Sequence, residues 1–316
     1  MKSNFFPKMS NHNPELTRFQ RAMLELLWIL CRGFALLPHF VRHNIFGTLC
    51  YWVLCYALRY RRRVIMDNLR RSFPHYTEQQ LATICRDTYK NLAEQIINTL
   101  SQSGISDEEL RRRMTFSNDG PTREAVGGRS AVFMTAHYGP WEAGSVVSLA
   151  FPDQTFVAVY HKITNPIVDE LMKRIRRHTN VELVDMKRTM RHFIDNRQRR
   201  PMIMGLIADQ NPTLRPNMSW YPFLNQWTAF FDGGEVLARK YNLPVYYFSP
   251  RRLRAGYYEG TFTLIHDGES PIEPGEITRR YARMLEAEIV ANPAMWMWSH
   301  RRWKHTPPAE LQATKI

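Results

Sequence analysis

From residue 131 onward, short apolar runs alternate with amphipathic stretches, and this alternation leaves few folds open to the chain. Apolar runs of strand length occupy 131–136, 155–160, 181–184, 202–208, 245–249 and 261–265. Helical patterns lie between or after them, at 142–149, 166–177, 187–196, 234–241 and 278–292. Such an order is typical of a sheet whose faces are covered by helices. We therefore predict an α/β fold with a mixed central sheet flanked by helices.

The N-terminal third has a different character. Residues 22–58 are rich in leucine and aromatic side chains, but charged or histidine residues interrupt them, so no uncharged run reaches the roughly 20 residues of a clean membrane span. Several arginines follow, from Arg59 to Arg71, with only Asp67 to oppose them. An apolar helix beside a cationic block is attracted to an anionic lipid surface. We predict an N-terminal helical membrane anchor; two ordinary core helices are the alternative.

Composition and charge narrow the partners. The chain has 316 residues, is 44% hydrophobic and carries a formal charge of +14, which indicates a globular protein with an anionic partner. That partner is nucleic acid, anionic lipid or an acidic protein. The four cysteines have neither the spacing of a zinc site nor that of a disulfide framework, so we expect buried thiols and no metal. The polar N-terminus does not resemble a secretory signal.

His137 and Glu142 form the first candidate site. The histidine directly follows the apolar run 131–136, and Gly139-Pro140 predicts a tight turn after it. A carboxylate folded back onto the ring Nδ1 would leave Nε2 free to take a proton from a hydroxyl. Backbone amides at the Gly139 turn would be placed to stabilise an oxyanion. A histidine that merely caps a helix is an equally good explanation of the spacing alone.

Two further candidates follow. Asp209 and Gln210 end the apolar run 202–208, where an ordinary turn is at least as good an explanation. The segment 296–304 interleaves aromatic and cationic side chains, including Arg301 and Arg302. Such a segment either contacts phosphates or packs as a terminal segment with a solvated basic face.

Taken together, these blocks resemble the late lipid A acyltransferase (lysophospholipid acyltransferase-like) family. The resemblance spans roughly residues 20–305. Three motifs carry it: a histidine and an acid five positions apart, a strand-end acid block, and a closing Trp-x-His-Arg-Arg-aromatic-Lys segment. In this chain they are His137 with Glu142, Asp209 with Gln210, and Trp298-Ser299-His300-Arg301-Arg302-Trp303-Lys304.

The resemblance implies an O-acyltransferase of bacterial lipid A and lipopolysaccharide biosynthesis. His137 would be the general base and Glu142 its orienting acid, without a covalent intermediate, metal or cofactor. The donor would be acyl carrier protein or coenzyme A thioester, and the acceptor a membrane glycolipid. We expect Asp209, Gln210, Arg301 and Arg302 to contact substrate. After a Val-Tyr pair, which is Val159-Tyr160 here, the family often has an arginine that holds a substrate phosphate. This chain has His161 followed by Lys162 at that point, so we expect these two to contact substrate instead.

The expected organisation is a polar tail at 1–20, a membrane-associated helical region at 21–71 and a catalytic domain at 72–316. The expected location is the cytoplasmic face of the inner membrane. Two alternatives remain: acylation of another membrane lipid, such as a lysophospholipid, an aminolipid or a glycosylated inositol lipid, and a basic nucleic-acid-binding protein. The apolar region 22–58 argues against the second, so we expect no nucleic acid partner.

Overall fold

The computed structural model describes residues 16–177, 180–215 and 218–312, so most of the predicted polar tail lies outside the described residues. The helices in these ranges are α1 (Arg18–Leu36), α2 (Gly47–Trp52), α3 (Arg62–Ser72), α4 (Glu78–Gln102), α5 (Asp107–Arg113), α6 (Asp119–Val126), α7 (Val147–Ala150), α8 (Pro166–Arg176), α9 (Thr189–Asn196), α10 (Gly233–Tyr241), α11 (Glu276–Ala291) and α12 (Ala309–Gln312). The strands are β1 (Met114–Phe116), β2 (Ala131–Thr135), β3 (Thr155–Tyr160), β4 (Val181–Asp185), β5 (Met202–Ile207), β6 (Trp220–Phe223), β7 (Gln226–Ala229), β8 (Val245–Arg254) and β9 (Tyr257–His266).

Seven strands form one mixed sheet, in the order β1-β9-β8-β2-β5-β3-β4. Strands β8 and β9 pair antiparallel and the other neighbours pair parallel. The prediction of a mixed sheet flanked by helices is therefore confirmed. The sequence did not predict the hairpin β6–β7 or the strand β1, because each of these strands is only three or four residues long.

The central strands are buried on both faces, which explains their continuous apolar sequences. On one face, Val132 and Met134 of β2 lie against Gly234 at the start of α10. On the other face, Phe133 packs against Phe151 and Phe262 with ring centroids 5.1 and 5.2 Å apart. Parallel pairing of β2 with β5 brings the carboxyl ends of these two strands side by side.

Helix α4 forms where the sequence places a helix start and an apolar stripe. Thr77 caps it, because its hydroxyl accepts from the Gln80 amide while the Gln80 side chain accepts from the Thr77 amide. Its inward face buries Leu81, Cys85 and Tyr89 among others. The helix packs against α1, α2 and α8, so it joins the N-terminal helices to the sheet.

The N-terminal helices leave much of their apolar surface uncovered. Helix α1 is followed by a second helical stretch, Val41–Ala57, which includes two π-helical segments around α2. The two stretches meet at 115°. No single helix in the described residues has the length and apolarity of a membrane span, although this bent pair has them in combination. The predicted N-terminal helical membrane anchor is thus not established, and the predicted domain boundaries remain predictions.

Candidate functional site

The site lies where β2 and β5 end. His137 follows β2 and Asp209 follows β5, and the register that pairs Thr135 with Ile207 sets the two side chains at the same level. Open α/β sheets bind ligands at this edge, outside the carboxyl ends of the strands. The arrangement follows from two buried strands that each end in a polar residue.

Asp209 holds the ring of His137. The Nδ1 atom of His137 lies 2.8 Å from Oδ1 of Asp209, and the other carboxylate oxygen accepts from Trp296 Nε1 at 2.8 Å. Burial of Asp209, which is 2% exposed, raises the pKa of its carboxyl. The His137 charge and the hydrogen bonds from His137 and Trp296 outweigh burial and lower the pKa below its ordinary value. An ionised Asp209 fixes the tautomer in which Nδ1 carries the proton and Nε2 is free.

Glu142 takes a different partner from the one we expected. Both of its carboxylate oxygens accept from Arg176 of α8, at 2.7 Å each. The prediction that Glu142 contacts Nδ1 of His137 is therefore corrected in favour of Asp209. The physical reason is local: residues Trp141–Val146 form a 3-10 helix, and this turns Glu142 toward α8. Burial opposes the charge on Arg176, but the Glu142 hydrogen bonds and charge prevail and raise the pKa of Arg176.

The C-terminal segment fixes the backbone of the histidine. Tyr138 and Trp296 form an antiparallel bridge, the Met297 amide donates to the His137 carbonyl, and the Gly139 amide donates to the Met295 carbonyl, both at 3.0 Å. The Gly139 amide is therefore engaged and does not donate to an oxyanion, while oxyanion stabilisation by the other backbone amides of this turn remains a prediction. Asn91 of α4 also donates to the Met295 carbonyl, so α4 supports the same segment.

Gln210 is the amide nearest to the free nitrogen of the histidine. Its Nε2 lies 3.2 Å from His137 Nε2 and 3.8 Å from the sulfur of Met297. A primary amide at this distance donates to the unprotonated nitrogen. A substrate hydroxyl that takes the place of this contact would leave the Gln210 amide beside the reacting atoms.

A cavity of about 690 Å³ opens at the strand ends. His137, Gln210, Glu142 and Arg176 all line it, so it joins the histidine to the carboxylate–arginine pair. Apolar and aromatic side chains make up much of the remaining wall. The members of that group are Trp141, Phe156, Ala158, Val159, Tyr160, Leu183, Met186, Leu206, Ile207 and Phe231. Within the described residues, no three His, Cys, Asp or Glu side chains cluster as metal ligands do.

The four basic residues that we expected to contact substrate lie in different environments. His161 lines the cavity, and the adjacent Lys162 is exposed, as is Arg301. Arg302 is buried at 2% exposure, so its predicted role in facing a phosphorylated lipid is corrected. It donates to the Ala229 carbonyl at 2.6 Å and lies 4.6 Å from the centre of the Phe230 ring. Burial lowers its pKa to about 10, although the charges of Asp209 and Tyr281 act in the other direction.

Two residues of the site escaped the sequence analysis. Trp296 lay within the aromatic segment 296–304, but its bond to Asp209 has no local sequence signal, because the two residues are 87 positions apart. Arg176 was one of several cations at the end of α8, and nothing in the sequence separates it from Lys173 or Arg174.

A histidine oriented by a buried carboxylate, at the strand ends of an α/β sheet and facing a largely apolar cavity, is an arrangement that enzymes use for general-base chemistry. The model of the bacterial lipid A biosynthesis acyltransferase family matches residues 9–305, and the chain belongs to that family. It is therefore a member of a family of acyl-transferring enzymes.

Curated relatives agree with this assignment at low identity. A lipid A biosynthesis acyltransferase of Haemophilus influenzae is 24% identical over 315 residues, which cover 97% of both chains. A lipid A biosynthesis lauroyltransferase of Escherichia coli is 22% identical over 79% of this chain and 82% of its own length. A lipid A biosynthesis palmitoleoyltransferase of the same organism is 21% identical over 80% and 82%. The names of the two Escherichia coli relatives specify different acyl chains.

Proposed function

We propose that this protein transfers a fatty acyl chain from an acyl thioester to a hydroxyl of a lipid A precursor. The observation that carries the proposal is the contact of His137 Nδ1 with the ionised Asp209, which leaves Nε2 free in the cavity. Family membership supports acyl transfer in lipid A biosynthesis. The donor in this proposal is a thioester of acyl carrier protein or coenzyme A.

The reaction begins when the acceptor hydroxyl replaces Gln210 at His137 Nε2. As the hydroxyl oxygen attacks the thioester carbon, its proton moves to Nε2 and a carbon–oxygen bond forms. Asp209 stabilises the resulting imidazolium, and the Gln210 amide donates to the developing oxyanion. Collapse breaks the carbon–sulfur bond, and the imidazolium returns the proton to the leaving thiolate. The products are an ester and a free thiol, and the chain needs no nucleophile of its own.

Glu142 has an indirect place in this scheme. Its bidentate pair with Arg176 ties the 3-10 helix after His137 to α8 and forms one wall of the cavity. Both side chains are mostly shielded, at 18% and 20% exposure, so removal of either one would leave a shielded charge without its partner. We retain Glu142 as a site residue that acts through Arg176, a role that only mutagenesis tests.

A membrane position for the site is supported by the N-terminal helices. Leu26, Ile29 and Leu30 of α1 are all more than half exposed, as are Leu49 and Trp52 of α2. Nearby cations include Arg59, Arg62 and Arg63, which are also exposed. Exposed apolar side chains beside exposed arginines suit the interface of an anionic leaflet. We therefore propose attachment to the cytoplasmic face of the inner membrane, where lipid acceptor and acidic acyl carrier protein would both meet a basic surface.

Purified His137→Ala and Asp209→Ala proteins test the mechanism. Each is expected to lose acyl transfer while keeping the circular dichroism spectrum of the parent. Full activity in His137→Ala would exclude general-base catalysis by this residue. Mass spectrometry of lipid extracts from cells with and without the protein identifies the acceptor. If the missing acyl chain belongs to a phospholipid, aminolipid or inositol lipid rather than lipid A, the proposed acceptor is wrong while acyl transfer stands.

A further inference from the structure

The cavity continues from His137 down one face of the sheet. The side chains on this face come from alternate positions of the strands, and the register matches Ala158 of β3 with both Gly205 of β5 and Leu183 of β4. These three residues and Phe156 line the cavity. None of the four carries a polar side chain, so this end of the cavity suits a hydrocarbon chain.

Phe156 closes that end. Its ring lies directly over Gly205, where any side chain would run into the ring. Phe156 is 6% exposed, so the ring belongs to the packed interior on one side and to the cavity on the other. The absence of a side chain at Gly205 allows the ring to lie across the strand. The contact between Phe156 and Gly205 therefore forms a floor.

The depth of this floor follows from the strand geometry. Gly205 precedes Asp209 by four positions in the chain, which is about 13 Å of strand at about 3.3 Å per residue. An extended hydrocarbon advances about 1.25 Å per methylene, from a carbon–carbon bond of about 1.52 Å and an angle of about 111°. A chain that starts at the level of His137 and Asp209 thus meets the ring after about ten methylenes.

We infer that Phe156, seated on Gly205, is the floor of the donor acyl pocket and restricts the transferred chain to about ten to twelve carbons. This inference rests on the acyl-transfer function proposed above and adds chain-length selection to it. Longer chains would have to bend or leave their ends in water. Removal of the ring would extend the pocket toward Ile203, which pairs with Phe156 in the register.

The test compares wild type with Phe156→Ala on a series of saturated thioester donors, from octanoyl to stearoyl, on acyl carrier protein and on coenzyme A. Wild type is expected to show its highest kcat/KM with decanoyl or lauroyl donors. Phe156→Ala should raise the ratio of palmitoyl to lauroyl kcat/KM at least about tenfold, because burial of even two of the additional methylenes of the palmitoyl chain is worth about that factor. A milder variant, Phe156→Leu, should shift the ratio in the same direction if the alanine variant folds poorly.

Phe248→Ala is the matched control. Phe248 is 5% exposed and its ring lies over Gly260, as that of Phe156 lies over Gly205, but it packs against Phe116 and Phe262 and does not line the cavity. The ratio of palmitoyl to lauroyl kcat/KM in this control variant should equal that of wild type. An unchanged ratio in both Phe156 variants overturns the inference, as does a wild-type optimum at any other donor. The inference is also overturned if the Phe156 variants change selectivity only among acceptors with different acyl chains, measured with one fixed donor. Wild type inactive with every donor would instead count against the proposed function.

Discussion

His137 Nδ1 lies 2.8 Å from Asp209 Oδ1, although 72 positions separate the two residues in the chain. The contact exists because β2 and β5 are neighbours in the sheet and end at the same level. Asp209 is almost fully buried and accepts a second bond from Trp296, so the carboxylate cannot swing away from the ring. The histidine is thereby held in one tautomer and one orientation.

Asp209→Asn should reduce kcat by two to four orders of magnitude with little change in KM. An amide in this position offers Nδ1 a donor or a neutral acceptor, so the ring loses its fixed tautomer and its counter-charge; an equivalent change in a serine protease costs about 10⁴ in kcat. Steady-state kinetics with a saturating acyl thioester measures the effect. Asp153→Asn, an exposed residue that does not line the cavity, is the control and should leave kcat within about threefold, since surface changes away from the dyad cost little. A small effect of Asp209→Asn would show that the dyad does not carry the reaction.

Trp296→Phe should shift the acidic limb of the kcat/KM profile to higher pH. The indole donates to Asp209 and helps to hold the pKa of that carboxyl below its ordinary value. Without the donor the pKa rises, because burial alone raises it. A hydrogen bond to a charged group is worth about 1.5–3 kcal/mol, so its loss is large enough to move the limb measurably.

Trp298→Phe provides the comparison for this substitution. Trp298 is also buried and donates from Nε1 to the Pro293 carbonyl, with no bond to Asp209. The loss of volume is the same, but the limb should stay where it is in wild type. Equal shifts in the two variants would assign the effect to packing.

Glu142→Ala and Arg176→Ala should each lower the free energy of unfolding by about 3 kcal/mol, since either change leaves a shielded charge unpaired. The double variant should lose no more than one of the single variants, because the pair acts as a unit. Denaturant titration in detergent measures all four proteins. Additive losses would show that the two side chains stabilise the fold separately. A catalytic defect in Glu142→Gln as large as that of Asp209→Asn would instead place Glu142 in the reaction directly.

The sequence predicted the strands and the polar residues at their ends better than it predicted the pairing between those residues. A few consecutive apolar residues are enough to predict a buried strand, and a polar residue that follows the strand must lie at the edge of the sheet. Which edge residues meet depends on strand order, and no local pattern encodes that β2 lies beside β5. The five-residue spacing of His137 and Glu142 predicted a contact between them. In the structure the 3-10 helix turns Glu142 away from His137, and Glu142 accepts from Arg176 of another helix.

Arg302 illustrates the same limit for charge. A cation in a run of cations is ordinarily solvated, so the sequence predicts that Arg302, like the adjacent Arg301, contacts substrate. In the structure Arg301 is exposed and Arg302 is buried against Phe230, with backbone and Asn211 oxygens as acceptors. These acceptors come from segments about 70 to 90 positions away, so the sequence pattern could not identify them.

His300→Asn should flatten the pH dependence of folding stability between about pH 6.5 and pH 4. Burial lowers the pKa of His300 to about 4, and the charges of Arg302, His137 and Arg61 act in the same direction while Asp209 opposes them. The unfolded chain takes up a proton near pH 6.5 and the folded one does not, so wild-type stability falls as pH falls through this window. At pH 4.5 the loss of folding stability due to His300 amounts to about 2.5 kcal/mol. Denaturant titrations at pH 7.5 and pH 4.5 measure it, with the exposed His75→Asn as control.

Leu49→Ser and Trp52→Ser should weaken binding to vesicles of anionic phospholipid by roughly tenfold each, since a large apolar side chain is worth about 1.5–3 kcal/mol when it leaves water. Both side chains are more than half exposed on the bent helical pair. Replacement of Arg62 and Arg63 by glutamine should cost about 1 kcal/mol each and only at low salt, because screening removes that attraction.

Leu264→Ser separates this effect from a general loss of apolar surface. Leu264 is 50% exposed on β9, well apart in the chain from the helical pair, and its replacement should leave vesicle binding unchanged. Flotation of each purified variant with liposomes of stated lipid content measures the binding. If Leu49→Ser, Trp52→Ser and Leu264→Ser bind alike, the exposed face of the N-terminal helices does not meet lipid. If the arginine variants lose binding equally at high and low salt, those residues act through packing and not through charge.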